Sequence, residues 1–424
     1  MPVGQYDEAM GTTTATATSV TIAPLRQDVG VIGLVGLAHM ISHFSQLLLA
    51  PLFPWLKGEF NASYTELGFL MTLFFVVSCS VQATSGFVVD RMGPRPILFG
   101  GLALVGLAAF GFALSPNYGA MAACSVLAGI GNGVFHPVNY TLLNRKVSAP
   151  RLGHAYSFHG ITGSLGWALA PALLVPLAIA FGWRTALAGA GALAFAVLFV
   201  LWLNRSRLTL QVPPPATSAR TTPREAGGSF DFLRIPAVWM CFGFFFFYAV
   251  VLSVIQSFAP EAARQLHGVP MALAAMCLTV YMVCSAGGMV LGGFLAADPQ
   301  RCEKVVAAGF GLAALIALAI GFSPVPALAV PALFGAMGFA SGIAAPSRDL
   351  LVKRSSPENA TGRVYGVVYS GLDIGQALSP LLFGTLMDHR QYQGVWLGLV
   401  FFQAILIASA FNLSRVRRTV LVPA

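Results

Sequence analysis

Charged residues are scarce in this sequence. Only 9% of its 424 residues are Asp, Glu, Lys or Arg, whereas 57% are hydrophobic and the mean hydropathy is +0.77. A soluble domain typically carries about a quarter charged residues, and a soluble chain of this length could not bury so much apolar side chain. The composition excludes a soluble globular protein and predicts an all-α membrane protein.

Several chemical signals are missing as well. Five of the six cysteines lie within apolar runs, so the sequence lacks an extracellular disulfide framework. No Cys/His spacing typical of a zinc site stands out, and we expect no metal site and no cofactor. No G-x-x-x-x-G-K-[ST] phosphate loop is present. We therefore expect neither a primary pump nor an enzyme.

Twelve segments of about 20 predominantly apolar residues fill most of the chain, and each is long enough to cross a bilayer. We number them spans 1 to 12. The first six lie near 30–54, 66–87, 97–114, 120–143, 156–181 and 185–203, and the second six near 236–259, 271–297, 305–322, 327–350, 364–386 and 394–413.

The segment between the two sets contains three consecutive prolines and many Arg, Ser and Thr residues, which is typical of a flexible linker. The predicted organisation has four parts, which we list in chain order. They are a disordered cytoplasmic tail (1–29), an N-terminal six-helix bundle (30–204), a cytoplasmic linker (205–234) and a C-terminal six-helix bundle with a short basic tail (235–424).

Basic residues are distributed unevenly among the loops. With both termini in the cytoplasm, all but four of the 24 Lys and Arg residues fall on the cytoplasmic side, the exceptions being Lys57, Arg184, Arg264 and Arg390. This bias follows the positive-inside rule and predicts a multi-pass protein of the cell membrane, which in a bacterium is the inner membrane. Orientation also accounts for the net charge of +9 and leaves no basic face for a nucleic acid.

The two halves resemble each other in sequence. A shift of 209 residues aligns spans 4 and 5 with spans 10 and 11. It brings Gly129 onto Gly338, Gly133 onto Gly342, Pro137 onto Pro346, Arg145 onto Arg354 and Gly166 onto Gly375. Glycine, proline and arginine coincide as well as leucine, which indicates an internal repeat. Two parallel halves related by an axis along the membrane normal are a transporter architecture, with the solute site at their interface.

The loop between spans 2 and 3 carries the segment GFVVDRMGPR. Its defining residues are Gly86, Asp90, Arg91, Gly93 and Arg95. The segment resembles the G-x-x-x-D-R-x-G-x-R signature of the major facilitator superfamily and matches it at every specified position. A partial second copy between spans 8 and 9 contains Gly293, Asp298 and Arg301. The resemblance implies the major facilitator fold, in which twelve transmembrane helices form two pseudo-symmetric six-helix bundles.

Asp90 is predicted to act as a gating latch. A carboxylate is stabilised at the positive N-terminal end of a helix, and the signature implies that Asp90 meets the start of span 11 and holds the two halves together on the cytoplasmic side. The alternative is that Arg91 and Arg95 only anchor the topology.

Within that superfamily, the N-terminal half resembles the fosmidomycin resistance group. The residues that carry the resemblance lie around span 1 and in the GNGVFHP segment of span 4: His39, Gln46, Pro54, Glu59, Phe60, Phe135, His136 and Pro137. The resemblance implies drug/proton antiport. Two positions depart from the group's pattern, because His43 stands where the group tends to carry an acid and Val138 where it tends to carry Glu.

Polar stripes on spans 1, 4, 7 and 10 form the candidate solute site. On span 1 they follow the i, i+3, i+4, i+7 spacing of one helix face, and such a face must meet protein or a water-filled cavity. The resemblance implies that these four spans line the cavity. The candidate substrate-binding residues are His39, Ser42, His43, Gln46, Asn132, His136, Asn139, Tyr140, Tyr248, Gln256, Ser341, Arg348 and Gln376. For each histidine, a hydrogen-bonded packing role is the alternative.

Asp373 is the one acidic residue near the middle of a predicted span, about ten residues into span 11. An unpaired carboxylate there is costly, so it must be protonated, paired or solvated by a cavity. We predict that Asp373 carries coupling protons together with His43 and His136. A structural hydrogen bond to a neighbouring helix is the alternative for Asp373. Arg348 and its neighbour Asp349 are either a mutually neutralising pair or an attractant for an anionic solute.

These features predict a secondary active, proton-coupled transporter that exports a small organic solute by alternating access. Its predicted partners are the solute, protons and membrane lipid, and the monomer is the expected functional unit. Two alternatives stay open. One is a proton/organic-anion symporter for uptake, and the other is a non-transporting membrane receptor or sensor with the same fold.

Overall fold

The computed structural model describes residues 24–210, 234–296, 301–355 and 362–420, without the side chains of 352–355, 362–366 and 413–420. The described ranges are helical and contain no β-strand. Span 1 is Leu25–Gln46 and continues through a turn into the short helix Phe53–Phe60. Spans 2 to 6 are Tyr64–Met92, Pro94–Leu114, Tyr118–Lys146, Leu152–Phe181 and Trp183–Leu203. Spans 7 to 12 are Pro236–Ser257, Met271–Leu295, Cys302–Phe322, Val330–Ser355, Gly362–Asp388 and Tyr392–Val420.

The predicted fold class is confirmed. Eleven of the described helices are long and apolar enough to cross a membrane. Span 11, Gly362–Asp388, is not among the eleven, although it is a 27-residue helix at the position predicted for it. A shorter helix of nine residues, Ala259–His267, lies between spans 7 and 8.

The first helix includes the last five residues of the predicted N-terminal tail, 25–29. Span 1 begins at Leu25, directly after Pro24, and not near residue 30. Asp28, in the first turn of this helix, is buried and accepts a hydrogen bond of 2.7 Å from Arg151, the residue before span 5. Residues 1–23 lie outside the described part of the chain. Of the predicted linker, residues 205–210 and 234 are described, and the first four of them form a short 3-10 helix.

Span 4 is discontinuous. Its first helix ends at Asn132 and its second begins at Phe135, with Gly133 and Val134 between them. The break puts His136 in the first turn of the second helix, facing the middle of the bundle. Gly133 and Val134 keep right-handed helical backbone angles, so the interruption is a kink within one span.

The glycines of the sequence repeat permit close helix packing. A Cβ placed on Gly129 would lie 2.6 Å from the carbonyl oxygen of Phe74 in span 2, and one placed on its repeat counterpart Gly338 would overlap the carbonyl of Tyr281 in span 8. Without a hydrophobic drive between helices in lipid, such small residues let backbones approach closely. The repeated glycines therefore mark equivalent contacts in the two halves, between spans 4 and 2 and between spans 10 and 8.

In the described part of the chain, the most extensive contacts between the halves are those of span 2 with span 11 and of span 5 with span 8. Spans 2 and 11 run antiparallel, since Thr65 at the start of one lies beside Thr385 near the end of the other. We call the membrane face that carries Tyr64 and Asp388 the Tyr64 end, and the opposite face the Asp90 end.

Candidate functional site

At the Tyr64 end, Asp388 joins the two halves. Its carboxylate accepts hydrogen bonds from the backbone N–H groups of Tyr64 at 2.6 Å and Thr65 at 2.9 Å, and from the Thr65 hydroxyl at 2.7 Å. The first N–H groups of a helix lack intrahelical partners and carry the positive end of the helix dipole. Asp388, at the end of span 11, therefore caps span 2 from the opposite half.

A second contact closes the same end. The Tyr64 hydroxyl donates to Glu261 at 3.2 Å, and Glu261 also accepts from Arg264 at 2.7 Å. Both charged residues belong to the short helix Ala259–His267, outside the spans. The hydrogen bonds to Glu261 raise the pKa of the Arg264 guanidinium above its ordinary value. The ion pair with Arg264 holds in place the Glu261 carboxylate that accepts the hydrogen bond from the Tyr64 hydroxyl.

Contacts between the halves continue to the middle of the membrane. The Thr72 hydroxyl donates to the carbonyl of Ala377 at 2.6 Å, and the Gln82 amide donates to Asp373 at 3.2 Å. Beyond that level, towards the Asp90 end, Asp90 itself is exposed, and Tyr140 is 42% exposed although it lies on a central span. The described hydrogen bonds between spans 2 and 11 therefore lie between the Tyr64 end and the level of Gln82, and Tyr140 is exposed near the Asp90 end.

Four histidines cluster in the N-terminal half. The rings of His39 and His159 stack with centroids 3.5 Å apart, and His43 lies 4.3 Å and His136 5.4 Å from His39. Nδ1 of His39 is 2.8 Å from the carbonyl oxygen of His159. The structure therefore brings together three predicted site residues, His39, His43 and His136, and adds His159 from span 5.

Two other predicted residues of this half bind each other. The Ser42 hydroxyl donates to Asn132 at 2.8 Å, and the Asn132 amide donates to the Ser78 hydroxyl at 2.9 Å. All three side chains are buried. This chain of hydrogen bonds fastens spans 1, 4 and 2 to one another.

The remaining predicted residues of the N-terminal half border the histidines. Gln46 accepts a hydrogen bond of 3.0 Å from the Trp167 indole, whose ring lies 4.2 Å from that of His43. The Asn139 amide is 3.4 Å from Nε2 of His159. The Tyr140 ring stands 6.1 Å from the His136 ring and is partly exposed.

In the C-terminal half, Arg348 is the central charged group. Its guanidinium lies 4.0 Å above the Tyr248 ring, and its Nε donates to Asp349 at 2.8 Å. The side chain is buried, whereas the Asp349 side chain is 60% exposed. Nη1 of Arg348 is buried and has no hydrogen-bond partner. The predicted pairing with Asp349 is present, but it leaves part of the guanidinium unsatisfied.

Two glutamines meet deeper in the same half. The Gln376 amide donates to Gln256 at 3.3 Å, and each retains one buried polar atom without a partner. The Ser341 hydroxyl oxygen is also buried without a partner. These predicted site residues therefore offer donors and acceptors that protein atoms do not use.

Sequence reasoning missed Asp388. It stands at the end of a span, where a carboxylate resembles an ordinary loop residue, and its partners are 323 residues or more away in the chain. The signal that could have found it is the antiparallel pairing of spans 2 and 11, because a carboxylate at the end of either helix faces the start of the other. The predicted partner of Asp90, the beginning of span 11, has side chains outside the described residues.

Comparisons with known proteins agree with this architecture. The sequence model of the Major Facilitator Superfamily matches residues 35–380 and, in a second match, 249–422. The fosmidomycin resistance protein of Escherichia coli (strain K12) is 25% identical over 283 residues, covering 63% of this chain and 65% of that protein. This chain thus spans less than two thirds of that relative. The hexuronate transporter of Bacillus subtilis (strain 168) is 23% identical, and the match covers 88% of this chain and 92% of that transporter.

A solved structure shares the fold. It is a bacterial homologue of the human lysosomal transporter Spinster, in an inward-facing and unoccupied conformation. The TM-score is 0.74 at 17% identity, over 95% of this chain and all of that one. The family match and these relatives point to a transporter and not to an enzyme. The family match, the helical architecture and the complete signature between spans 2 and 3 show that this multi-pass membrane protein belongs to the Major Facilitator Superfamily.

Proposed function

We propose that this protein is a proton-coupled secondary transporter of a small organic anion and works by alternating access. In this proposal the Asp90 end faces the cytoplasm, as the distribution of basic residues predicts. The described conformation is then open to the cytoplasm and closed to the outside.

The observation that carries the proposal is the unsatisfied guanidinium of Arg348. Its Nη1 is buried and has no hydrogen-bond partner, whereas its Nε donates to Asp349 and its guanidinium lies over the Tyr248 ring. A buried donor of a charged group that lacks an acceptor costs about 1–3 kcal/mol or more. A carboxylate or phosphonate oxygen of a solute would satisfy it with a charge-assisted hydrogen bond. Arg348 and Tyr248 belong to spans 10 and 7, two of the four spans that line the cavity in this family.

Asp373 supports the proton-coupling part of the proposal. It contacts Gln82 of the other half at the level where the inter-half contacts end. Alternating access must open this contact when the halves separate and close it again on return. A carboxylate whose surroundings change in this way can take up a proton in one conformation and release it in the other.

The direction of transport separates two candidate functions. Likeness to the fosmidomycin resistance protein favours export, in agreement with the sequence prediction. Likeness to the hexuronate transporter over nearly the whole chain favours an anionic solute, and uptake of such an anion is the second candidate. A receptor that binds its solute without moving it is the third candidate.

The test uses purified protein in liposomes with fosmidomycin and a hexuronate as probes. Binding is read from thermal stabilisation, and flux is measured with an inward and then an outward pH gradient. We expect Arg348→Gln to lose stabilisation by the probe, Arg348→Lys to keep part of it, and the surface variant Arg184→Gln to match wild type. Equal stabilisation of Arg348→Gln and wild type would contradict the anion site. Binding without flux in either direction would identify a receptor.

A further inference from the structure

We propose that His39, His43 and His136 form a binding site for a divalent transition-metal ion on the N-terminal wall of the cavity. One ring nitrogen of each lies within 4.8 Å of one ring nitrogen of the other two. A tetrahedral zinc ion with Zn–N bonds of about 2.05 Å needs its ligand nitrogens about 3.3 Å apart. Small rotations about the histidine side-chain torsions would bring the three nitrogens from within 4.8 Å of one another to this spacing. This proposal does not depend on the proposed anion transport.

The hydrogen bond of His39 prepares it as a ligand. Because a carbonyl can only accept, Nδ1 of His39 carries the proton and donates it to the His159 carbonyl at 2.8 Å. Nε2 then has its lone pair free, and it is buried without a partner on a side chain that is only 3% exposed. A metal-bound imidazole nearly always donates its other N–H to a carbonyl or carboxylate in this way.

His43 and His136 complete the set from two directions. His43 is four residues after His39 on the same helix face, a spacing that places two imidazoles on one metal. Its Nε2 is also buried without a partner, and its ring rests 4.2 Å from Trp167. His136 comes from the second helix of span 4 and is partly exposed, so this side of the cluster offers the ion a path.

The fourth histidine supports the other three. His159 stacks on His39 at 3.5 Å, and its Nε2 is 3.4 Å from the amide of Asn139. The His159 ring is therefore engaged in stacking and in the contact with Asn139, and the His159 carbonyl orients His39. The ligand set is three imidazoles, which suits zinc, nickel, cobalt or copper more than magnesium or calcium. Three imidazoles leave at least one coordination position of the ion for water or a solute oxygen.

This proposal departs from the sequence expectation of no metal site, and two features of the sequence explain why. The His39/His43 spacing lies inside an apolar helix, where it first reads as part of a polar stripe. The third ligand is separated from His43 by 93 positions, so only the folded chain shows that the three rings converge.

The experiment uses the full-length protein with any affinity tag removed. Cobalt(II) is titrated into detergent-solubilised protein while its d–d absorption is recorded, and zinc(II) is then added in competition. Equilibrium dialysis against zinc gives the stoichiometry. We expect one ion per chain, displacement of cobalt by zinc, and a cobalt spectrum of nitrogen and oxygen ligands in low coordination number.

Ligand variants and matched controls decide the assignment. His39→Ala and His136→Gln should weaken zinc binding by more than about 100-fold, which exceeds the usual loss for an outer-shell partner. His154→Gln and His389→Gln change exposed histidines outside the cluster and should bind like wild type. The melting temperature and elution volume without metal show whether each variant is folded. No stoichiometric binding by wild type, or equal binding by folded His136→Gln, would overturn the proposal.

Discussion

The carboxylate of Asp388 lies 2.6 Å from the backbone nitrogen of Tyr64, so the last residue of span 11 caps the first residue of span 2 across the two halves. The signature at the other end predicts the reverse arrangement, with Asp90 near the end of span 2 capping the start of span 11. The two carboxylates are reciprocal because the helices are antiparallel. One latch is formed in the described conformation, and the other is predicted for the opposite one.

Our first prediction is that Asp388→Asn opens the Tyr64 end. Asparagine cannot accept three charge-assisted hydrogen bonds, each worth about 1.5–3 kcal/mol, so the conformational equilibrium should shift by at least about tenfold. The probe is Met71→Cys in a background without native cysteines. Met71 is buried and touches Ser257 of the other half, so its reaction with an external maleimide reports opening.

The matched control for this measurement is Glu59→Gln. Glu59 forms an ion pair of 2.8 Å with Arg184 at the same end, but both belong to the N-terminal half. We expect labelling of Met71→Cys to rise with Asp388→Asn and to stay at the wild-type rate with Glu59→Gln. Equal labelling rates in all three proteins would show that Asp388 does not hold this end closed.

The second prediction concerns Asp90. Asp90→Asn should impair transport while leaving membrane insertion and solute binding intact, because the residue is exposed in the described conformation and lies outside the histidine and arginine clusters. In the Met71→Cys assay, Asp90→Asn should not raise labelling, in contrast to Asp388→Asn. The reason is that the native Asp90 carboxylate stabilises the opposite conformation. Turnover at the wild-type rate with normal folding would exclude the latch role.

A third prediction tests the packing behind the sequence repeat. Gly338→Ala places a methyl group against the carbonyl of Tyr281, and such overpacking typically costs about 1–3 kcal/mol. Gly311→Ala is the matched control, because a Cβ there meets no atom within 4 Å and alanine favours a helix over glycine. Thermal unfolding in detergent should show a lower melting temperature for the first variant only.

Much of this architecture could be predicted from sequence because apolar length and basic-residue bias depend only on neighbouring residues. The same holds for His39 and His43, whose shared face follows from their spacing in one helix. The placement of His159 beneath His39 and the Asp388 latch could not be predicted. Each depends on how separate spans pack, and side chains more than a hundred positions apart leave no local pattern that pairs them.

Our last prediction concerns Asp373, which binds Gln82 across the two halves at 3.2 Å. Asparagine keeps the shape and can still bind the glutamine, but it cannot carry a proton. Asp373→Asn should therefore abolish accumulation driven by a pH gradient while preserving counterflow of the solute, because exchange needs only the movement of the loaded carrier. Both are measured in the same proteoliposomes, with Glu59→Gln as the carboxylate control. A mutant that still concentrates the solute on a pH gradient as wild type does would make Asp373 a structural residue, because its contact with Gln82 would then matter only for packing.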